Sequence, residues 1–124
     1  MAEDVLTQNF SNVYDYSAGI KISTEMLKIF LDTLNFTVSF FEEEDGSFTA
    51  VLEELDLIEN APSKEDCMIS ILDAMKDYAH DFYNDFSLWS SAPNRKSHIP
   101  YVLKILLSPD SRLLEDMVCR NGKS

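Results

Sequence analysis

Between Cys67 and Phe86 apolar residues recur at helical spacing: Cys67, Met68, Ile71, Leu72, Met75, Tyr78, Ala79, Phe82, Tyr83 and Phe86. At ~100° per residue they fall within less than half of a helix's circumference. Ser63 ahead of them is a good N-cap residue, and Asp66 stands at the third helical position. The spacing predicts one long helix over 63–86. A helix so one-sided must bury its apolar face against another layer, so the rest of the chain has to supply that layer.

The layer is legible upstream, where the period changes to two. Phe36, Val38 and Phe40 alternate with Thr37 and Ser39, and Asp45-Gly46 follows. Asp-Gly between alternating runs signals a hairpin, because glycine accepts the positive φ of the turn. The return strand is expected over Ser47–Glu53, with Phe48, Ala50 and Leu52 on one face, and a third strand over Leu55–Glu59. Asn60-Ala61-Pro62 then breaks the sheet. A short strand at Gly19–Ile22 and a helix over 24–34, capped by Ser23, precede the hairpin. That helix carries Met26, Leu27, Phe30, Leu31 and Leu34 as a stripe.

Beyond the long helix, 87–97 reads as a loop and Ile99–Leu107 as a buried helix with Pro100 in its first turn. Ser108 is expected to cap a last helix with Pro109 at its first position, Leu113, Leu114, Met117 and Val118 inward, and a polar tail from Arg120. The expected fold class is α+β: an antiparallel three- to four-stranded sheet packed against one long amphipathic helix, with short flanking helices. Residues 1–18 are read as a polar N-terminal arm and 19–124 as a single domain.

Charge narrows the function classes. The 124 residues hold 22 Asp+Glu against 10 Lys+Arg, a formal net charge of −12. Nucleic-acid binding rests on neutralising phosphates with Lys and Arg, so direct binding of nucleic acid is not expected. No apolar run approaches the ~20 residues of a membrane span. MAEDVLTQNF has no apolar core of a signal peptide. Cys67 and Cys119 make neither a disulfide framework nor a zinc spacing, and the cytoplasm is the expected compartment. Cys67, on the apolar face, reads as a buried small hydrophobe.

Three constellations could carry function. The first is a carboxylate ridge, Asp73, Asp77, Asp81 and Asp85, each four apart on the long helix. His80 beside it makes Asp77, His80 and Asp81 a conceivable metal set, but the ridge reads first as a solvated or partner-facing surface. The second is Glu42–Glu59, with Glu42, Glu43, Glu44, Asp45, Glu53, Glu54, Asp56 and Glu59 and no base. Such charges guard sheet edges and also steer a positively charged partner. The third is a basic pole at Arg95, Lys96 and His98, with Lys104 further on. A Ser97-His98 pair lacks the oriented third group that nucleophilic chemistry requires. The three glycines are isolated, so no phosphate-cradling loop is present. Trp89 with Phe82, Tyr83 and Phe86 reads as the edge of the core. No cofactor or metal is expected.

The run Phe40-Phe41-Glu42-Glu43-Glu44-Asp45-Gly46-Ser47-Phe48-Thr49-Ala50, with Leu55-Asp56-Leu57 and Pro62-Ser63-Lys64-Glu65-Asp66 leading into Ile71-Leu72, resembles the antitoxins of the HicB family over about residues 36–83. The closing stretch Ala92–Tyr101 is similar to uncharacterised bacterial proteins labelled antitoxin-like. The resemblance implies a sheet-and-helix module that blocks a small basic toxin which cleaves RNA. The expected function is therefore a non-enzymatic, protein-binding regulator that docks a basic partner. The expected contacts are Glu42, Glu43, Glu44, Asp45, Glu53, Glu54, Asp73, Asp77 and Asp81. The alternatives are a homodimer whose acidic and basic poles meet and, last, a metal-dependent enzyme.

Overall fold

A computed structural model describes residues 23–122. The arm expected over 1–18 and the short strand expected at Gly19–Ile22 lie outside the described residues. The chain divides into two compact units, 1–33 and 34–124.

In the first unit, α1 spans Thr24–Asp32. Its start follows from the cap: Ser23 Oγ accepts the Met26 N–H at 3.1 Å. At its end the Thr33 hydroxyl donates to the Phe30 carbonyl at 2.6 Å, which satisfies a carbonyl that the helix leaves open. Leu31 is buried, whereas Met26, Ile29 and Phe30 are exposed.

The second unit is α+β. Strands β1 (Phe36–Glu42), β2 (Phe48–Leu52) and β3 (Leu57–Ala61) form an antiparallel meander. Helix α2 (Lys64–Asn84) then crosses the sheet. Short α3 (Phe86–Ser90), a single 3₁₀ turn (Lys96–His98), α4 (Ile99–Leu107) and α5 (Asp110–Glu115) follow. The chain returns to the sheet as β4 (Met117–Asn121), parallel to β1, and the strand order is β3-β2-β1-β4.

The local reasons match the residues. Glu43 and Ser47 close the hairpin, with the Glu43 N–H donating to the Ser47 carbonyl at 2.8 Å. Gly46 sits at φ +86° in open space, as a tight turn requires. Ser63 Oγ caps α2 by accepting the Asp66 N–H at 3.1 Å. The inner sheet face presents Phe36, Val38, Phe40, Ala50 and Leu52, all buried, to Cys67, Ile71, Met75, Ala79 and Phe82 of α2. Val102, Ile105 and Leu113 complete this core. Each large apolar side chain buried there contributes roughly 1.5–3 kcal/mol relative to its exposed state.

Several expectations are corrected. The stretch 87–97, read as a loop, carries most of α3 and the start of the 3₁₀ turn; Asn60 and Ala61, read as a break, belong to β3; and Leu114 and Val118, expected inward, are exposed. The last helix ends at Glu115, and Pro109 stands at its N-cap rather than Ser108. Met117 and Val118 belong to β4, as does Arg120 of the expected tail; pairing with β1 supplies backbone partners that no local signal announces. The third strand begins two residues later than its apolar pattern suggests, because Glu53–Asp56 make the turn, with Asp56 left-handed at φ +56°. Leu55 is 1% exposed although it lies in that turn. Tyr83 and Phe86 are exposed, and Phe86 lies beyond the end of α2, as the first residue of α3.

Candidate functional site

The acidic residues separate into those the fold uses and those it leaves in solvent. At the hairpin tip Asp45 Oδ1 accepts from Ser47 twice, from N–H at 2.9 Å and from the hydroxyl at 2.6 Å. Those bonds hold its carboxyl below the usual carboxylate range. Asp45 is thus a turn residue as well as an exposed charge. Glu42, Glu43 and Glu44 beside it are exposed and make no ion pair among the described residues.

Glu53 and Glu54 are tied down. Glu54 Oε1 accepts the Thr37 N–H at 2.6 Å. Glu53 Oε2 accepts the Ser39 hydroxyl at 2.5 Å and pairs with the Arg120 guanidinium. The Ser39 bond chiefly, and Arg120 after it, hold the Glu53 carboxyl low against the raising effect of burial. Arg120 also donates from Nε to Ser39 Oγ at 3.1 Å, so β1, β2 and β4 are laced together on the outer sheet face. A groove of about 430 Å³ opens there, lined by Ser39, Phe41, Val51, Glu53, Arg120 and Asn121. Gly122 closes its end, where any Cβ would run into the Phe41 ring.

On α2, Asp73, Asp77 and Asp81 are exposed along one ridge, with His80 also exposed. Among the described residues no group of three His, Cys, Asp or Glu is arranged to hold a metal ion, so Asp77, His80 and Asp81 do not make a ligand set.

The basic stretch is mostly consumed by the fold. His98 is 3% exposed, its Nδ1 bonded to the Tyr78 hydroxyl at 2.6 Å and its Nε2 3.9 Å from Asp56 Oδ2. Burial, then the nearby Arg95 charge, push the His98 pKa below its ordinary value, and Asp56 only partly offsets them. Burial likewise raises the Tyr78 hydroxyl. Arg95 lies over the Trp89 ring at 5.5 Å, while Lys96 is exposed. The surface of the expected basic pole thus falls to Arg95 and Lys96.

Lys104, read in the sequence as part of that stretch, is 1% exposed. Its ammonium donates to the Leu34 carbonyl at 2.8 Å and pairs with Asp116 at 2.6 Å. Burial would raise the Asp116 carboxyl, but the bonds and charges of Lys104 and Arg112 win and hold it low. Sequence reasoning missed these roles of Arg120, Asp116 and Tyr78. The partners of Arg120 and Tyr78 lie 20 to 81 positions away, where no local pattern announces them; Asp116 has a local partner at i−4 in Arg112, a spacing that could have been read from the sequence. Lys104 did leave a signal, as a lone base inside an apolar run.

Fold and site together define a small α+β protein whose chain carries a net charge of −12. A family model described as PHD-like, antitoxin of toxin–antitoxin, RelE/RelB, TA system, matches residues 2–119, and the chain belongs to that antitoxin family. A crystal structure from Syntrophomonas wolfei subsp. wolfei, assigned as the antitoxin part of a toxin/antitoxin system, shares the fold at a TM-score of 0.72 and 27% identity. That match covers 98% of this chain and 96% of the other. No curated protein matches the chain. Membership implies a toxin as partner and a regulatory role. No helix among the described residues is long and apolar enough to cross a membrane.

Proposed function

We propose that this antitoxin neutralises a basic toxin in the cytoplasm, steering and holding it through carboxylates that the fold leaves unused. One observation carries the reading. Glu42, Glu43, Glu44, Asp73, Asp77 and Asp81 stand exposed without an ion pair among the described residues, in a chain of net charge −12. Clustered like charge focuses a long-range field that speeds encounter with an oppositely charged partner. Glu53, Glu54 and Asp45, expected as contacts of the same kind, serve the turn and the outer sheet face first and present only their remaining lone pairs. The family that matches is of the RelE/RelB type rather than the HicB type expected from residues 36–83, and the block proposed here is made by the sheet-and-helix module itself. Its hairpin and long helix carry both free groups of acids.

The test is stopped-flow association with a toxin recovered together with the chain from its native cells, across salt concentrations. Asp73→Lys, Asp77→Lys and Asp81→Lys together should slow association by about tenfold at low salt and flatten its salt dependence, with little change in dissociation. Equal rates for variant and parent at every salt concentration would overturn the reading. Sedimentation under the same conditions separates it from self-association of the two poles.

A further inference from the structure

Strand β4 ends the sheet on one side, and its far edge is open. The Phe36 N–H donates to the Asp116 carbonyl at 3.0 Å, and the Gly122 N–H donates to the Phe40 carbonyl at 2.7 Å. In this parallel ladder Phe36 lies across from Met117 and Phe40 across from Asn121, so the backbone groups of Val118 and Arg120 point to β1. Those of Met117, Cys119 and Asn121 therefore point the other way. The strand order is β3-β2-β1-β4, and no strand among the described residues meets them. Val118, Cys119, Arg120 and Asn121 are all exposed, so this edge stands in solvent.

Sheets guard an open edge with proline, charge or a bulge. The opposite edge has such guards: β3 carries Glu59, follows Asp56 and runs straight into Pro62. Strand β4 holds neither an acid nor a proline. Its one charge, Arg120, is turned across the outer sheet face to Glu53. The Asn121 side chain is engaged as well, its Oδ1 accepting from Lys64 Nζ at 3.1 Å. What β4 offers a partner is its backbone.

A second copy of the same strand matches that backbone. Turned about a two-fold axis at Cys119, Met117 comes opposite Asn121 of the copy, and Cys119 opposite itself. Every outward N–H then meets an outward C=O, as in the hydrogen-bonded pairs of an antiparallel ladder. On the outer face Val118 falls opposite Arg120 of the copy, so no like charges are set against each other. Net charge points the same way. At −12 two copies repel over much of their surface, but residues 117–122 contain no acid. A Lys/Arg-rich toxin, by contrast, finds no carboxylate on this strand.

We infer that two copies of the chain pair antiparallel through their β4 edges and join their sheets into one. The hairpin acids and the α2 ridge take no part in this pairing. Because backbone groups hold it, salt leaves it in place, unlike a contact between acidic and basic poles.

The experiment is sedimentation of the full chain over a dilution series at low and high salt, with amide exchange followed by NMR. The expected result is a dimer at both salt concentrations that dissociates on dilution. In the dimer the amides of Met117, Cys119 and Asn121 should exchange about tenfold more slowly than in the monomer. Cys119 is exposed, so its substitution spares the fold. Cys119→Lys and Cys119→Glu each put like charges on the axis and should each weaken the dimer about tenfold, while a mixture of the two should pair again. A chain that stays monomeric at every concentration would overturn the inference. So would a dimer indifferent to Cys119→Lys, or Lys and Glu chains that fail to pair. Slowed exchange of the three amides only on adding the toxin would give the edge to the toxin, and the inference would fall. The antitoxin reading is tested separately, by toxin association, and survives each of these results.

Discussion

Two ion pairs flank β1, and they differ in almost every physical respect. Lys104–Asp116 is sealed: the lysine side chain is 1% exposed and the carboxylate 15%. Arg120–Glu53 lies open, with side chains 60% and 36% exposed. The first joins α4 to the residue just ahead of β4 and to the Leu34 carbonyl that leads into β1. The second lies across the outer face of the same sheet. Burial makes the difference. A pair out of water has strong mutual attraction but cannot lose one member cheaply, whereas solvent screens an open pair and replaces a lost member.

The sealed pair gives the largest expected effect. Lys104→Ala should destabilise the protein by ~3–5 kcal/mol, because it leaves the Asp116 carboxylate with Arg112 alone, takes the donor from the Leu34 carbonyl and empties packing space. Chemical denaturation with a matched slope would measure it. Lys104→Met, which keeps most of the stem's volume, should recover part of the loss. If both variants unfolded at the parent's midpoint, the lysine would not be the lock it is taken for, and the contrast between the two pairs would fail.

Buried His98 sharpens the contrast with a pH dependence. Its folded pKa is lowered from 6.5 by burial and Arg95, so the unfolded chain takes up its proton first on acidification. The unfolded state then binds more protons, and stability falls as pH falls from the unfolded value through the folded one. Asp116 adds a second loss further down, from its ordinary 3.8 toward its lowered folded value. Thermal unfolding of the parent should therefore begin to weaken just below neutrality. His98→Asn should remove that first slope and spare the second. A variant that kept the parent's slope would assign it to another group.

The hairpin, the caps at Ser23 and Ser63 and the long helix were legible because each is a local matter. Asp45-Gly46 needs only its own turn, and Ser63 needs only the Asp66 N–H three residues on. Phe36, Val38 and Phe40 announce a one-sided strand by themselves. Strand β4 was not legible. Met117 and Val118 continue the apolar spacing of Leu113 and Leu114, so a helix was the natural reading. The strand forms because β1 has an unpaired edge about eighty positions earlier in the chain, across the register Phe36 to Met117. The same distance hid part of the candidate site. The acids were visible as residue types. Which of them the fold would consume depended on Thr37, Ser39 and Arg120, brought beside Glu53 and Glu54 only by the finished sheet. Burial of His98 and Lys104 shrank the basic pole for an equally non-local reason.

The smallest expected effect belongs to the open pair, and it tests the comparison from the other side. In Arg120→Ala, Glu53 loses its guanidinium but keeps the Ser39 hydroxyl, the bond that dominates its lowered pKa. Water reaches the freed carboxylate through the adjoining groove. Strand β4 retains its backbone ladder to β1, which does not depend on the side chain. Stability should therefore change far less than in Lys104→Ala, and added salt, which already screens exposed pairs, should shrink the change further. Denaturation at low and high salt would measure both. A loss matching that of Lys104→Ala would mean that the Arg120–Glu53–Ser39 lacing holds β4 in place. The exposed face of the sheet would then be as structural as its core.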